Sequence, residues 1–298
     1  MEIDELQIDA PWGIIAIKTW GDASDPALLC FHGVMDNAGT FNRLIPLLSK
    51  SYYYIAVDLP GHGKSSHFPP HLPIHSTDYL LAYQLVINHF NRKKYILMGH
   101  SYGGQLGLLY AQMYPNRIDK LIMLDTLHLF PVPSRYFKNI LEEKILLHLE
   151  IEQKSKIKRP PMYTFEEAIQ KIRQGRSFPL RLEAAEELLK RALIPAGNGK
   201  YWLSFDQRLK NFINPLHDFR YALETLKKFP VHCPVLIILG KDSKGQQIFL
   251  KPFLDYYKKQ SNFVVIIVPG DHDVHNNEPE EVASHIAQFL IGQSSSKL

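Results

Sequence analysis

The segment Gly99-His100-Ser101-Tyr102-Gly103-Gly104 constrains this chain more than any other. It has the form G-x-S-x-G, directly follows the apolar run Tyr95-Ile96-Leu97-Met98, and directly precedes Gln105-Leu106-Gly107-Leu108-Leu109-Tyr110-Ala111, whose apolar spacing is helical. A backbone that passes from strand to helix in so few residues turns sharply, and side chains at positions 99 and 103 would collide as it reverses. Glycine at both places leaves the residue between them standing at the tip of the turn. Ser101 is therefore a candidate nucleophile.

Strand-like runs near 27–31, 53–57, 95–98, 120–124, 235–239 and 263–268 are separated by helical patterns or long crossovers. That alternation predicts an α/β fold whose mostly parallel central sheet carries helices on both faces. Leu6-Gln7-Ile8 and the run 14–19 flank Pro11-Trp12-Gly13 and read as an opening antiparallel hairpin. Ligands of such sheets bind outside the carboxyl ends of the strands, where every candidate named here falls. The run Phe263-Val264-Val265-Ile266-Ile267-Val268 suits a strand buried on both faces, and Asp271-His272-Asp273-Val274-His275 follows it. His272 is the expected general base toward Ser101. A metal cluster of Asp271, His272, Asp273 and His275 is the rival reading, weakened because metal sites usually gather ligands from more than one element.

Two carboxylates could orient the imidazole. Asp242 is the leading one because it begins the loop at the carboxyl end of the next-to-last strand, where a carboxylate would sit to orient the imidazole; Asp125, after Leu121-Ile122-Met123-Leu124 and also between Ser101 and His272 in the chain, is the alternative. The developing oxyanion would meet the backbone N–H of Tyr102, at the amino end of a helix, and that of Val34, after the strand 27–31 and the turn His32-Gly33. His32 reads as a structural residue of that turn. Asp58-Leu59-Pro60-Gly61-His62-Gly63-Lys64-Ser65 reads as a D-x-x-G-x-G-x-S turn whose glycines serve backbone geometry, and neither a G-x-G-x-x-G nor a Walker phosphate loop is present. His62, His67, His71 and His75 cluster without cysteines or carboxylates at metal spacing, so no metal and no cofactor is expected.

With 298 residues, 45% of them hydrophobic, the chain can bury one large core and carry an insertion. The insertion is expected at 126–230, between core segments 1–125 and 231–298. Strand signals nearly vanish there, and amphipathic helices are predicted near 134–152, 165–174 and 181–193, the second opening on the capping box Thr164-Phe165-Glu166-Glu167. Placed after the sixth strand, this helical cap would stand over the strand ends and wall a pocket. It holds 19 Lys and Arg against 12 Asp and Glu. Mixed signs elsewhere argue against a nucleic-acid surface. No apolar run is long enough to span a bilayer, and Met1-Glu2-Ile3-Asp4-Glu5 is acidic where a secretory signal would be basic. Cys30 and Cys233 fit small buried thiols of a reducing compartment. The terminal Ser296-Lys297-Leu298 matches the address read by the peroxisomal import receptor, which predicts that receptor as a partner and a peroxisomal location.

Pro11-Trp12-Gly13, Leu29-Cys30-Phe31-His32-Gly33 with Asp36-Asn37-Ala38, Phe41 to Leu48, Gly61-His62-Gly63 with Ser65-Ser66-His67, the serine turn, Leu121 to Thr126, Asp206-Gln207-Arg208-Leu209 and Pro269-Gly270-Asp271-His272 together resemble the α/β-hydrolase superfamily. Within it the chain is similar to the serine hydrolase-like (kraken-like) proteins of animals over nearly its full length. The resemblance implies a cap-bearing serine hydrolase fold, a peroxisomal or vesicular location, and nucleophile and histidine at Ser101 and His272. Relatives that displace at carbon carry an aspartate at the turn, so Ser101 favours acyl chemistry. The expectation is a serine esterase or thioesterase that forms an acyl-enzyme on a small-molecule acyl substrate. The alternative is a slow or non-catalytic ligand-binding protein on the same scaffold.

Overall fold

The computed structural model describes residues 1–157, 160–211 and 213–292. The Ser-Lys-Leu expectation at 296–298 lies outside the described residues. Strands β1 (Ile3–Ala10) and β2 (Gly13–Trp20) form the expected hairpin, paired from Ile3 with Trp20 to Ala10 with Gly13. Then follow β3 (Ala27–Phe31), β4 (Tyr53–Val57), helix α1 (Tyr79–Phe90), β5 (Tyr95–His100), α2 (Tyr102–Met113) and β6 (Ile118–Leu124). The segment between β6 and the next sheet strand holds α3 (Phe137–Ile157), α4 (Phe165–Gln174), α5 (Leu182–Ala192), a two-stranded hairpin β7 (Leu193–Gly197) and β8 (Lys200–Leu203), and α6 (Phe219–Lys228). The chain closes with β9 (Val235–Gly240), α7 (Lys244–Phe249), α8 (Lys251–Tyr257), β10 (Phe263–Val268), α9 (Val274–Asn277) and α10 (Glu280–Leu290).

Eight strands form one sheet in the order β1-β2-β4-β3-β5-β6-β9-β10, parallel from β4 to β10. Side chains alternate between two apolar layers, as the period-two geometry of a strand demands. Leu29, Phe31, Leu97, Met123 and Ile237 pack with α1, α2 and α8, while Leu28, Cys30, Met98, Ile122 and Ile238 pack with Phe41, Val282 and Ile286 on the other face. Both cysteines are buried and free. Among the described residues no helix is long and apolar enough to cross a membrane.

Two elements depart from the sequence reading. β10 is the edge strand rather than a strand sealed on both faces, and Ile267 is 53% exposed there. Its apolar composition reflects pairing with β9 and cover by flanking helices, which a lone run of Val and Ile cannot distinguish from a central position. The β7–β8 hairpin was not anticipated. Asn198 and Gly199, with φ of 51° and 67°, make the turn for which an Asn-Gly pair is the strongest short-range signal.

The segment between β6 and β9 is fastened to the sheet by buried charge. Arg191 of α5 reaches Asp58 after β4, with Nη2 to Oδ2 at 2.7 Å, and Asp58 also accepts the backbone N–H groups of Ala38 and Lys64. Arg208 donates to the carbonyls of Phe68, Pro69 and Leu72, which holds the loop after the D-x-x-G-x-G-x-S turn.

Candidate active site

Ser101 stands between β5 and α2 with φ 49° and ψ −118°, a conformation that side chains adopt at a cost and that packing must enforce. The enforcement is visible. Its N–H donates to Leu124 O at 2.9 Å, and a Cβ on Gly103 would lie 2.2 Å from Phe31 O, so only glycine lets the turn close against β3. Likewise a Cβ on Gly99 would meet Gly104 N at 2.3 Å.

His272 arrives on the loop after β10. Its Nε2 lies 3.0 Å from Ser101 Oγ, and its Nδ1 lies 2.6 Å from Asp125 Oδ2. A carboxylate oxygen can only accept, so Nδ1 carries the ring proton and Nε2 is free to take one from the serine. Burial pulls the His272 pKa down, but the hydrogen bond and charge of Asp125 more than offset it and leave the value above the ordinary one for histidine. Asp125 is itself buried and pinned: its N–H donates to Ile238 O at 2.7 Å, and its Oδ1 accepts Gly240 N–H at 2.7 Å.

The expectation that Asp242 stands beside the imidazole is corrected by this geometry. The chain after β9 curls so that Asp242 N–H donates to Gly270 O at 3.0 Å, and its exposed side chain lines the same cavity without bonding His272. The strand end after β6 reaches the histidine loop instead because β9 and β10 lie beyond it in the sheet, so Asp125 points across β9 toward the end of β10.

The turn after β3 forms the opposite wall. His32 donates from Nδ1 to Gly33 O at 2.7 Å and accepts Leu59 N–H at Nε2 at 2.9 Å. Burial lowers its pKa, so it is a neutral brace of the turn. Val34 follows that brace and lines the cavity with Ser101, and Tyr102 opens α2 with its hydroxyl bonded to Ser76 O.

Sequence reasoning missed a buried ion cluster behind this wall. Arg176, between α4 and α5, pairs with Asp36 of the β3 turn and with Asp273, Nη1 to Oδ1 at 2.7 Å. Asp36 also lies 3.4 Å from His100 Nδ1, and His100 Nε2 meets His272 O at 3.0 Å. Burial would raise the Asp36 carboxyl pKa, yet the guanidinium charge holds it well below the usual carboxylate range. No periodicity announces such a pair; Asp36 stood out only in the resembling segment.

The four residues of the rival metal reading diverge: Asp271 accepts from Asn277, Asp273 from Arg176, and His275 Nε2 pairs with Thr40 Oγ1 at 2.8 Å, while His272 faces Ser101. Asp36, His100 and Asp273 do offer ligand atoms within 4.8 Å of one another, but the Arg176 guanidinium is already paired with both carboxylates. In the second histidine group, His62 accepts Met35 N–H and His67 pairs with Ser204 O and Asp206, while His71 meets Glu152.

A cavity of about 820 Å³ opens onto Ser101. Phe130, Ile172, Phe178, Leu203 and Phe205, all from the segment between β6 and β9, give it an apolar wall. The arrangement combines a strained serine, a polarised imidazole and a half-apolar chamber of ligand size.

Residues 26–279 match the family model described as α/β hydrolase fold. Serine hydrolase-like protein 2 of Homo sapiens is 34% identical over 97% of this chain and 94% of that protein. The serine hydrolase-like protein of Mus musculus is 31% identical over 97% and 96%. Among solved structures, a hypothetical protein of Pseudomonas aeruginosa superposes with a TM-score of 0.82 at 27% identity, covering 96% of this chain and 99% of that one. The thioesterase domain from the curacin biosynthetic pathway shares the fold at a TM-score of 0.75 and 21% identity, covering 98% of this chain and 100% of that one.

Proposed function

The chain belongs to the α/β-hydrolase fold family, among the serine hydrolase-like proteins, and from that premise we propose that it cleaves an ester or thioester through an acyl-enzyme on Ser101. The observation that carries the reading is the hydrogen-bonded line from Ser101 through His272 to Asp125 at the floor of the cavity. Ser101 Oγ attacks the acyl carbon as its proton passes to His272 Nε2, and Asp125 stabilises the imidazolium so formed. The backbone N–H groups of Val34 and Tyr102 are the assigned donors to the oxyanion, the latter aided by the amino end of α2. The imidazolium then protonates the leaving alcohol or thiol, and water activated by the same nitrogen releases the acid. Residues 126–230 act in this reading as a cap that shields the chamber.

A fluorophosphonate probe tests it. The probe should label the protein at Ser101 and fail to label Ser101→Ala, and a panel of esters and thioesters should be hydrolysed by the first protein alone. Labelling of another serine, or turnover that survives Ser101→Ala, overturns the proposal. Labelling of Ser101 with no turnover across the panel favours a ligand-binding role.

A further inference from the structure

The cavity in front of Ser101 is unevenly charged. Three basic side chains of the segment between β6 and β9 line it: Lys171 of α4, Arg176, and Lys210 of the helical turn Gln207–Asn211. Arg176 is committed to Asp36 and Asp273. The two lysines are not. Lys210 donates to the neutral amide Gln207 Oε1 at 2.7 Å, and among the described residues neither lysine has a carboxylate within ion-pair distance. The remaining acid on the wall, Asp242, belongs to the loop after β9 at the core side of the chamber.

Like charges brought together cost free energy unless something of opposite sign shares the space. Here the cost is felt locally: partial burial and the positive charges of Lys171 and Lys154 depress the Lys210 pKa. Lys154 is spoken for by Glu150 in α3, which leaves Lys171 and Lys210 as the pair able to answer an anion. They sit on the same chamber as the serine, beside apolar Ile172 and Leu203. An acyl compound with an anionic oxygen group at one end would satisfy both regions at once.

We infer that Lys171 and Lys210 form an anion subsite of the candidate active-site cavity, which selects esters or thioesters bearing a carboxylate or phosphate group. The inference rests on that cavity being the substrate chamber, and it names the substrate class for the hydrolase reading. Arginine at either position would keep the charge and glutamine would remove it, so the two variants separate charge from shape.

Binding can be read without turnover. Octyl phosphate, octanoate and octanol are titrated calorimetrically into the full protein, Lys171→Gln/Lys210→Gln and Lys171→Arg/Lys210→Arg. The expected result is that at least one anionic ligand binds about tenfold tighter than octanol, loses that margin in the glutamine variant, keeps it in the arginine variant, and weakens as salt rises. Preference between octyl phosphate and octanoate identifies which anion the subsite takes. Equal affinity of the anions and octanol, or an unchanged margin in the glutamine variant, overturns the subsite. If lysine-dependent binding is found while Ser101 fails to react with fluorophosphonate, the subsite stands and the hydrolase reading falls.

Discussion

Replacing Arg176 by methionine isolates the buried ion cluster. Methionine approximates the length of the aliphatic stem but leaves the carboxylates of Asp36 and Asp273, 1% and 3% exposed, without their counter-charge. Removing one partner of a buried pair costs about 3–5 kcal/mol, because the orphaned charge remains away from water. Urea unfolding of Arg176→Met at neutral pH should show a loss of that size. The loss should depend on pH with a defined sign. In the native protein the Asp36 pKa lies below its unfolded value, so this carboxylate adds stability above the unfolded pKa, and the gain fades as pH falls through the folded one. Without the guanidinium, burial is opposed only by the His100 contact and drives the folded pKa upward. The penalty is then full at neutral pH and shrinks as acid protonates the group, so the gap between the two proteins narrows on acidification. Combining Arg176→Met with Asp36→Asn and Asp273→Asn should recover most of the loss. A cost below about 1 kcal/mol, typical of a surface pair, or a gap constant with pH would refute the reasoning.

Asp125→Asn should lower kcat by about 10⁴ through loss of imidazole orientation, and Asp242→Asn should cost far less; the reverse order in steady-state kinetics would return the acid to the loop after β9. For a neutral ester, kcat/KM should fall as pH drops through a His272 pKa above the ordinary histidine value, and a pH profile with an inflection below that value would contradict the Asp125 contact. Gly103→Ala puts a Cβ 2.2 Å from Phe31 O and should destabilise the protein by about 1–3 kcal/mol in denaturant titration; an unchanged midpoint would show that the turn can yield.

The sheet was legible because its strands are short apolar runs closed by turn residues, and Ser101 and His272 stood out as candidates because each lies in the turn that closes such a run. The choice between Asp125 and Asp242 was not. Both end a strand, and only the sheet order, which no local pattern encodes, decides which end faces the histidine loop. The same limit hid Arg176: its partners are 140 and 97 residues away, and a lone arginine between two helices carries no sign of where its guanidinium goes. The β7–β8 hairpin was missed for a different reason, since the Asn198-Gly199 signal was present but lay among helical patterns.

Arg191 on Asp58 and Arg176 on Asp36 and Asp273 give the segment between β6 and β9 a set of keys cut for particular locks. Grafting the corresponding segment of a relative onto this sheet would therefore bring new walls to the chamber but orphan three acids unless the arginines came with it. Diversification of the chamber by exchange of the whole segment is thereby discouraged, and change by substitution within the resident segment, at the lining positions that hold no key, is the route this molecule leaves open.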